Sequence, residues 1–261
     1  MGDLLETKFE TMGARVKVMA LPARLATWPV RVDVRRDKHG EYFDVRRRSD
    51  VTVDVLDVQR ADRHLLLMAR EADATKSKFL CGHDERAWFV AAVPEAAHAS
   101  SVQAAKDALK PRAVWAAIRE HGVRSKHRDR RRTAAFVRQG EWFFIPRPRL
   151  RVNESLVLRD EPIRRGAGKP HLCQFLFRTG GELVHVHDRY PNGLTEAQFA
   201  ALKPVERALD GWSWMARGAR AYVRGTVRHP DHATVWLDGW HEVVMNTETQ
   251  SVAMRNVAFL D

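Results

Sequence analysis

Apolar and polar residues alternate through much of the first third of the chain. Val30, Val32 and Val34 alternate with Arg31, Asp33 and Arg35, and Val51, Val53 and Val55 with Asp50, Thr52 and Asp54. A period of two carried by β-branched residues predicts half-buried strands. Asp37-Lys-His-Gly40 supplies a turn between strands, and the apolar runs at 64–69 and 78–81 continue the series. Gly82-His-Asp-Glu-Arg86 turns into a further strand over 87–93, which Pro94 ends.

The period then lengthens. Ser100 or Ser101 is placed to cap a helix over 102–109, and Pro111 opens a second over 112–121 that Gly122 stops. Proline suits a first helical turn and glycine the position just past the last. Val114, Ile118 and Trp115 form the buried stripe of this second helix.

After residue 133 the strand signal returns. A hairpin over 134–145 is predicted to turn at Gln139-Gly140, setting Val137 opposite Trp142 and Phe136 opposite Phe143. Pro148 keeps 147–151 extended. Residues 164–169 read as a mobile basic loop. A second hairpin over 169–188 is predicted to turn at Gly180-Gly181, pairing Phe177 with Val184 and Phe175 with Val186. Its other face then carries Gln174, Arg178, His185 and His187. Thr195-Glu-Ala-Gln198 is a capping box with Leu194 as its hydrophobic staple, so a helix runs to about residue 203. Pro204 opens another that ends near Gly211. Strands at 221–228, 233–237 and 240–246 close the chain, with a tight type I′ hairpin expected at Asp238-Gly239.

These elements predict an α+β protein of mostly antiparallel β-hairpins in two β-rich parts, with a central pair of helices and a short C-terminal helical insert. Residues 1–122 form the first part, ending in the two helices. Residues 123–133 form a basic connector, and 134–261 the hairpin-rich second part with its helical insert. At 261 residues and 44% apolar, the chain can bury a core without staples. Cys81 and Cys173 stand far apart and form no Cys-x-x-Cys, so neither a disulfide framework nor a thiolate zinc site is expected. No apolar run reaches the length of a membrane span, and the N-terminus lacks the apolar stretch of a signal peptide. A cytoplasmic protein away from membranes is expected; no pattern speaks to its oligomeric state.

Charge changes this picture. The net charge is +11 and the sequence pI about 10.2. Residues 119–151 hold eleven Lys or Arg and three acids, a net of +8. A generally arginine-rich composition explains abundance but not such clustering. The densest part is Arg124, Lys126, Arg128, Arg130, Arg131 and Arg132. Arginine forks grip two phosphate oxygens together, and clustered cations displace counterions from a polyanion. The favoured function is therefore nucleic-acid binding, RNA slightly ahead of DNA, either alone or within a larger protein or ribonucleoprotein assembly. The contacts nominated are these six residues together with Arg138, Trp142, Arg147, Arg149, Arg164, Arg165 and Lys169. No helix-turn-helix, zinc finger or RNP1 motif is present, so recognition rests on backbone charge and shape, with stacking on Trp142 or Phe143.

Two other classes compete. A phosphodiesterase or nuclease would use His185 and His187, about 6.6 Å apart along one strand face, as its acid–base pair. A basic scaffold subunit would instead pair its arginines with acids. Catalysis is therefore left open. No metal or other cofactor is expected. With a turn at Asp238-Gly239, His232 and His241 lie about 13 Å apart along their strand. His229-Pro-Asp-His232 reads first as a turn, and Cys81-Gly-His-Asp-Glu-Arg86 as a buried cysteine before a charged hairpin tip. Gly166-Ala-Gly-Lys169 lacks the spacing and the following helix of a Walker loop.

Overall fold

A computed structural model of the protein describes residues 2–22, 28–165 and 168–251. Glycine-loop residues 166 and 167 thus lie outside the described residues. Among these the fold is broadly α+β and rich in strand, with five α-helices and four mostly antiparallel sheets. No described helix is long and apolar enough to cross a membrane.

The chain opens with helix α1 (Gly2–Met12). The alternation further on does not announce it, yet Leu5, Phe9 and Met12 recur at helical spacing and form its buried face. Strands β1 (Val16–Ala20), β2 (Val30–Asp37) and β3 (Gly40–Arg47) make a three-stranded sheet in the order β1-β3-β2. β4 (Thr52–Gln59), β5 (His64–Arg70), β6 (Lys76–Asp84) and β7 (Ala87–Val93) form an antiparallel meander. Leu65, Leu66 and Leu67 are all buried. The meander is covered on both faces: Leu65 and Leu67 pack with α1 and the first sheet, and Leu66 with helix α2 (Val102–Ala108). A strand buried on both sides reads as a continuous apolar run rather than an alternation. Ser101 caps α2 by accepting the Ala104 N–H at 3.1 Å.

Helix α3 (Arg112–Glu120) follows, with Pro111 at its N-cap. Its buried Val114, Ala117 and Ile118 pack on Phe136, Phe143 and Ile145. The last two lie on β9 (Trp142–Pro146), which pairs with β8 (Val137–Gln139). Here the predicted hairpin forms with a corrected register. Its loop is Gly140-Glu141, so Val137 pairs with Phe144 and Gln139 with Trp142. Gly140 takes φ +58, a left-handed conformation that costs glycine little.

β8 and β9 belong to a six-stranded sheet in the order β10-β11-β15-β16-β9-β8. The remaining members are β10 (Leu158–Ile163), β11 (His171–Thr179), β15 (Arg220–Arg228) and β16 (Val235–Met245). Two predicted hairpins fail here. β16 runs unbroken through Asp238-Gly239, and the extra residues are absorbed as a bulge: Val223 pairs with His241 and Gly225 with Leu237. The hairpin expected at Gly180-Gly181 does not form: the strands on either side of the two glycines enter different sheets. β11 pairs with β10 and β15, whereas β12 (Glu182–His187) joins a small sheet of order β13-β12-β14 with β13 (Tyr190–Leu194) and β14 (Ser213–Arg217). Between β13 and β14 lie α4 (Glu196–Ala200), whose Thr195/Gln198 capping box forms as predicted, and α5 (Pro204–Arg207).

Gly225 sits where both β15 ladders shift register, at φ +78. A Cβ there would lie 2.4 Å from Gln174 Oε1 and 3.2 Å from the Phe175 ring. Gln174 cannot simply swing away, because that oxygen accepts the Thr226 N–H at 3.0 Å. Gly225→Ala is therefore expected to destabilise the protein by about 1–3 kcal/mol, measured by urea unfolding. An unchanged midpoint would show that the bulge relaxes without strain.

Candidate functional site

The basic segment is folded against its neighbours. Ser125–His127 form a 3-10 turn. Arg128 pairs with Asp107 of α2, and Arg131 with Asp84 and Glu85 at the β6–β7 turn. Asp129 bonds Lys110 at 2.6 Å and accepts from Gln103 at 3.0 Å. Lys110 is only 6% exposed, so this contact is sheltered from solvent screening. Alternate charges thus turn inward and fix the segment's path, while Arg124, Lys126, Arg130 and Arg132 are exposed. Among the described residues Arg124, Lys126 and Arg130 have no acidic partner. Arg132 donates to the Trp236 carbonyl at 2.9 Å.

The other nominated cations divide in the same way. Arg138 bonds Asp84 at 3.3 Å, Arg147 bonds Glu242 at 2.5 Å, and Lys169 bonds Asp231 at 3.0 Å. Arg165 turns inward to the buried Glu248. Arg149 and Arg164 are exposed. Neither nominated ring is an open platform. Phe143 is buried against Phe136, and Trp142 is half-buried, edge-on to His171. The exposed ring beside the basic segment is Trp236, 58% exposed. The expected hairpin placed that residue two short of a turn, which gave no sign of its place beside Arg132. Its position in β16 opposite Thr226, next to Arg132, comes from the tertiary fold.

His185 and His187 share one side of β12, but that side is closed by aromatic rings. His185 is 8% exposed, with Phe199 and Trp214 each 3.8 Å from it, and its Nε2 meets Glu196 at 2.8 Å. His187 Nδ1 accepts the Arg189 N–H, which leaves Nε2 to donate to the Asp210 carbonyl. Both rings of the proposed acid–base pair are thus engaged within the small sheet and its helices.

A different histidine group forms at one end of the six-stranded sheet. His171 begins β11, while His229 and His232 lie in the loop between β15 and β16. The rings stack, with centroids 4.2 Å apart for His171–His229 and 4.7 Å for His229–His232. One ligand nitrogen from each lies within 4.8 Å of the others. Buried Gln139 organises the group. Its Nε2 donates to the Val227 and Ala233 carbonyls, at 3.2 and 2.7 Å. That fixes its Oε1 as acceptor for His171 Nδ1–H at 2.9 Å and turns His171 Nε2 towards Glu141 Oε2, 3.8 Å away. A Cβ at Gly140 would come within 2.7 Å of His232 Nε2, so the turn needs glycine for space as well as for its φ.

This group borders a cavity of about 280 Å³ between α2, the β6–β7 turn and the β8–β9 hairpin. Five Lys or Arg and five acids line it, so it carries no net field to trap an anion. Burial pushes His229 down to about 4, helped by His171 and His232, and lowers His232 as well. Burial alone would raise the Glu141 carboxyl, but His171 and Arg165 beside it hold it at about 2. At neutral pH the group therefore presents neutral His229 and His232 beside an ionised carboxylate. No family model matches the chain, and neither a curated protein nor a solved structure matches it.

Proposed function

We propose that the protein binds nucleic acid, single-stranded RNA in preference to DNA, through the outward face of residues 124–132. The observation that carries this reading is the division of the basic segment. Arg128 and Arg131 anchor it to acids, and Arg124, Lys126 and Arg130 point outward without an acidic partner. A cation that is already paired gains little from a phosphate, whereas one held exposed on a fixed backbone releases counterions at small ordering cost. Trp236 supplies an exposed ring within reach of the same surface, anchored by Arg132. Unstacked bases of single strands can lie on such a ring, and those of a duplex cannot.

Arg124→Ser, Lys126→Ser and Arg130→Ser combined remove the outward charges and leave the anchoring pairs intact. The triple variant is expected to flatten the plot of log affinity against log salt by about 2–3 units, since each phosphate contact contributes about 0.7–0.9. Trp236→Ala is expected to weaken single-strand binding by about 1–3 kcal/mol and duplex binding far less. Fluorescence anisotropy with mixed-sequence RNA and DNA oligomers across salt measures both. A triple variant with the wild-type slope would remove this face as the binding element.

A further inference from the structure

We propose that His171, His229 and His232 form a binding site for one divalent transition-metal ion of the zinc class. The inference is independent of the nucleic-acid reading. Four observations support it. First, three imidazoles from two separate segments bring ligand atoms within 4.8 Å of one another. Second, His171 has the support typical of a metal ligand. Gln139 accepts its Nδ1–H at 2.9 Å and is itself held by two backbone carbonyls, which orients Nε2 as the ligating lone pair. Third, His232 Nδ1 is buried and makes no hydrogen bond, an unsatisfied polar atom that a fold keeps only at some penalty. Fourth, Gly140 leaves out the one Cβ that would exclude the His232 ring.

The chemistry of the donors selects the ion. Calcium and magnesium take oxygen ligands, and a set of three imidazoles suits zinc, cobalt or nickel instead. Glu141, with its carboxylate 3.8 Å from His171 Nε2, offsets the charge of the ion. Zinc–nitrogen bonds of about 2.0–2.1 Å set ligand atoms roughly 3.3 Å apart in a tetrahedral site, so the widest separation must close by up to about 1.5 Å as the site loads. The β15–β16 loop carries two of the three ligands and supplies that movement. His229 gives up a contact in the process, because its Nδ1 accepts the Asp231 N–H at 3.1 Å. One neutral hydrogen bond is small against three metal–ligand bonds.

Purified, metal-stripped full-length protein titrated with Co²⁺ tests this. Expected is one Co²⁺ per chain with the intense visible absorption of tetrahedral nitrogen-ligated cobalt, bleached by one equivalent of Zn²⁺. His229→Gln and His232→Gln should each weaken binding at least tenfold, and His39→Ala, at an exposed histidine of the β2–β3 turn outside the group, should not. Wild-type protein that binds no stoichiometric Co²⁺ or Zn²⁺, or binding that survives both glutamine variants, overturns the site. Should a variant fail to fold, ring-nitrogen spectra of wild-type histidines during Zn²⁺ titration decide. His171, His229 and His232 must shift together at one equivalent, and shifts confined to other histidines overturn the proposal.

Discussion

Phe144→Ala is expected to cost about 3–5 kcal/mol, the usual range for removing a buried aromatic ring. At roughly 2–4 °C per kcal/mol for a chain of this size, the melting temperature should fall by about 10 °C. Phe144 has no exposed surface and pairs with Val137 on β8 and Val243 on β16. Its cluster draws Ile163 from β10, Cys173 and Leu176 from β11, Val223 and Val227 from β15, and Leu237 from β16. All six strands thus contribute to the contact that the ring completes. Its neighbours Phe143 and Ile145 face the opposite side and hold α3, so the hairpin stays docked there and the lost volume is not refilled from that side. The cavity term then adds to the transfer term. Phe144→Leu keeps most of the volume and should cost much less. The effect reaches the histidine group too, because Gln139 and Glu141 sit at the end of this hairpin. Thermal unfolding checks the values. A fall of only one or two degrees for the alanine variant would mean that the sheet collapses around the gap.

The strands from Val30 to Val93 were legible in alternation or in short apolar runs, whereas β1 (Val16–Ala20) was not anticipated. Val30, Val32 and Val34 alternate because one side of β2 packs inward, and α2 was marked by its Ser101 cap. α1 was missed as well, although Leu5, Phe9 and Met12 recur at helical spacing, because no cap residue marks its start. The two failed hairpins share one cause. Gly180 and Gly181 both take positive φ, as a tight turn would need, yet no turn forms there. Turn chemistry favours a local backbone path and does not fix the partner of the strand that leaves it. β12 finds β13 and β14 instead of β11 because its partners lie later in the chain. Asp238-Gly239 failed in the opposite sense: tertiary pairing with β15 and β9 absorbed a favourable turn sequence as a bulge. The site divided along the same line. The density of charge at 124–132 is a property of sequence. The inward turn of Arg128 and Arg131 depends on Asp107 and Asp84, which no spacing rule connects to them. The histidine group is less legible still. His171 lies far along the chain from His229 and His232, and the residue that orients it, Gln139, is an ordinary glutamine until the fold brings it there.

Acidification from pH 6.5 to 4 is expected to destabilise the protein steeply, with His64 as a principal cause. The His64 ring lies edge-on to Phe89, with centroids 5.6 Å apart, over Gly82, where a Cβ would come within 2.5 Å of the ring. Nδ1 faces the Asp62 carbonyl, which places the ring proton on that nitrogen. Burial pushes His64 from its ordinary 6.5 down to about 4. Lys106 and Arg138 act in the same direction, and Asp62 acts against them. The unfolded chain therefore takes up a proton below pH 6.5 that the folded ring refuses until about pH 4. Stability is complete above 6.5, falls through this window as pH drops, and loses nothing more from His64 below it. A shift of this size corresponds to at most about 3 kcal/mol. His229 and His232, also lowered, steepen the loss in the same window. Glu141 extends it further: held at about 2 against an ordinary 4.5, its contribution is present above 4.5 and disappears as pH falls towards 2. Asp33, whose carboxyl burial raises, works in the opposite sense and softens the acid end. Urea unfolding at pH 7, 6, 5 and 4.5 measures the slope. His64→Leu removes the titrating ring while keeping an apolar side chain against Phe89, and should flatten the curve by its share. Equal slopes in wild type and variant would show that water reaches the ring in the folded protein and that the acid sensitivity originates in the other histidines.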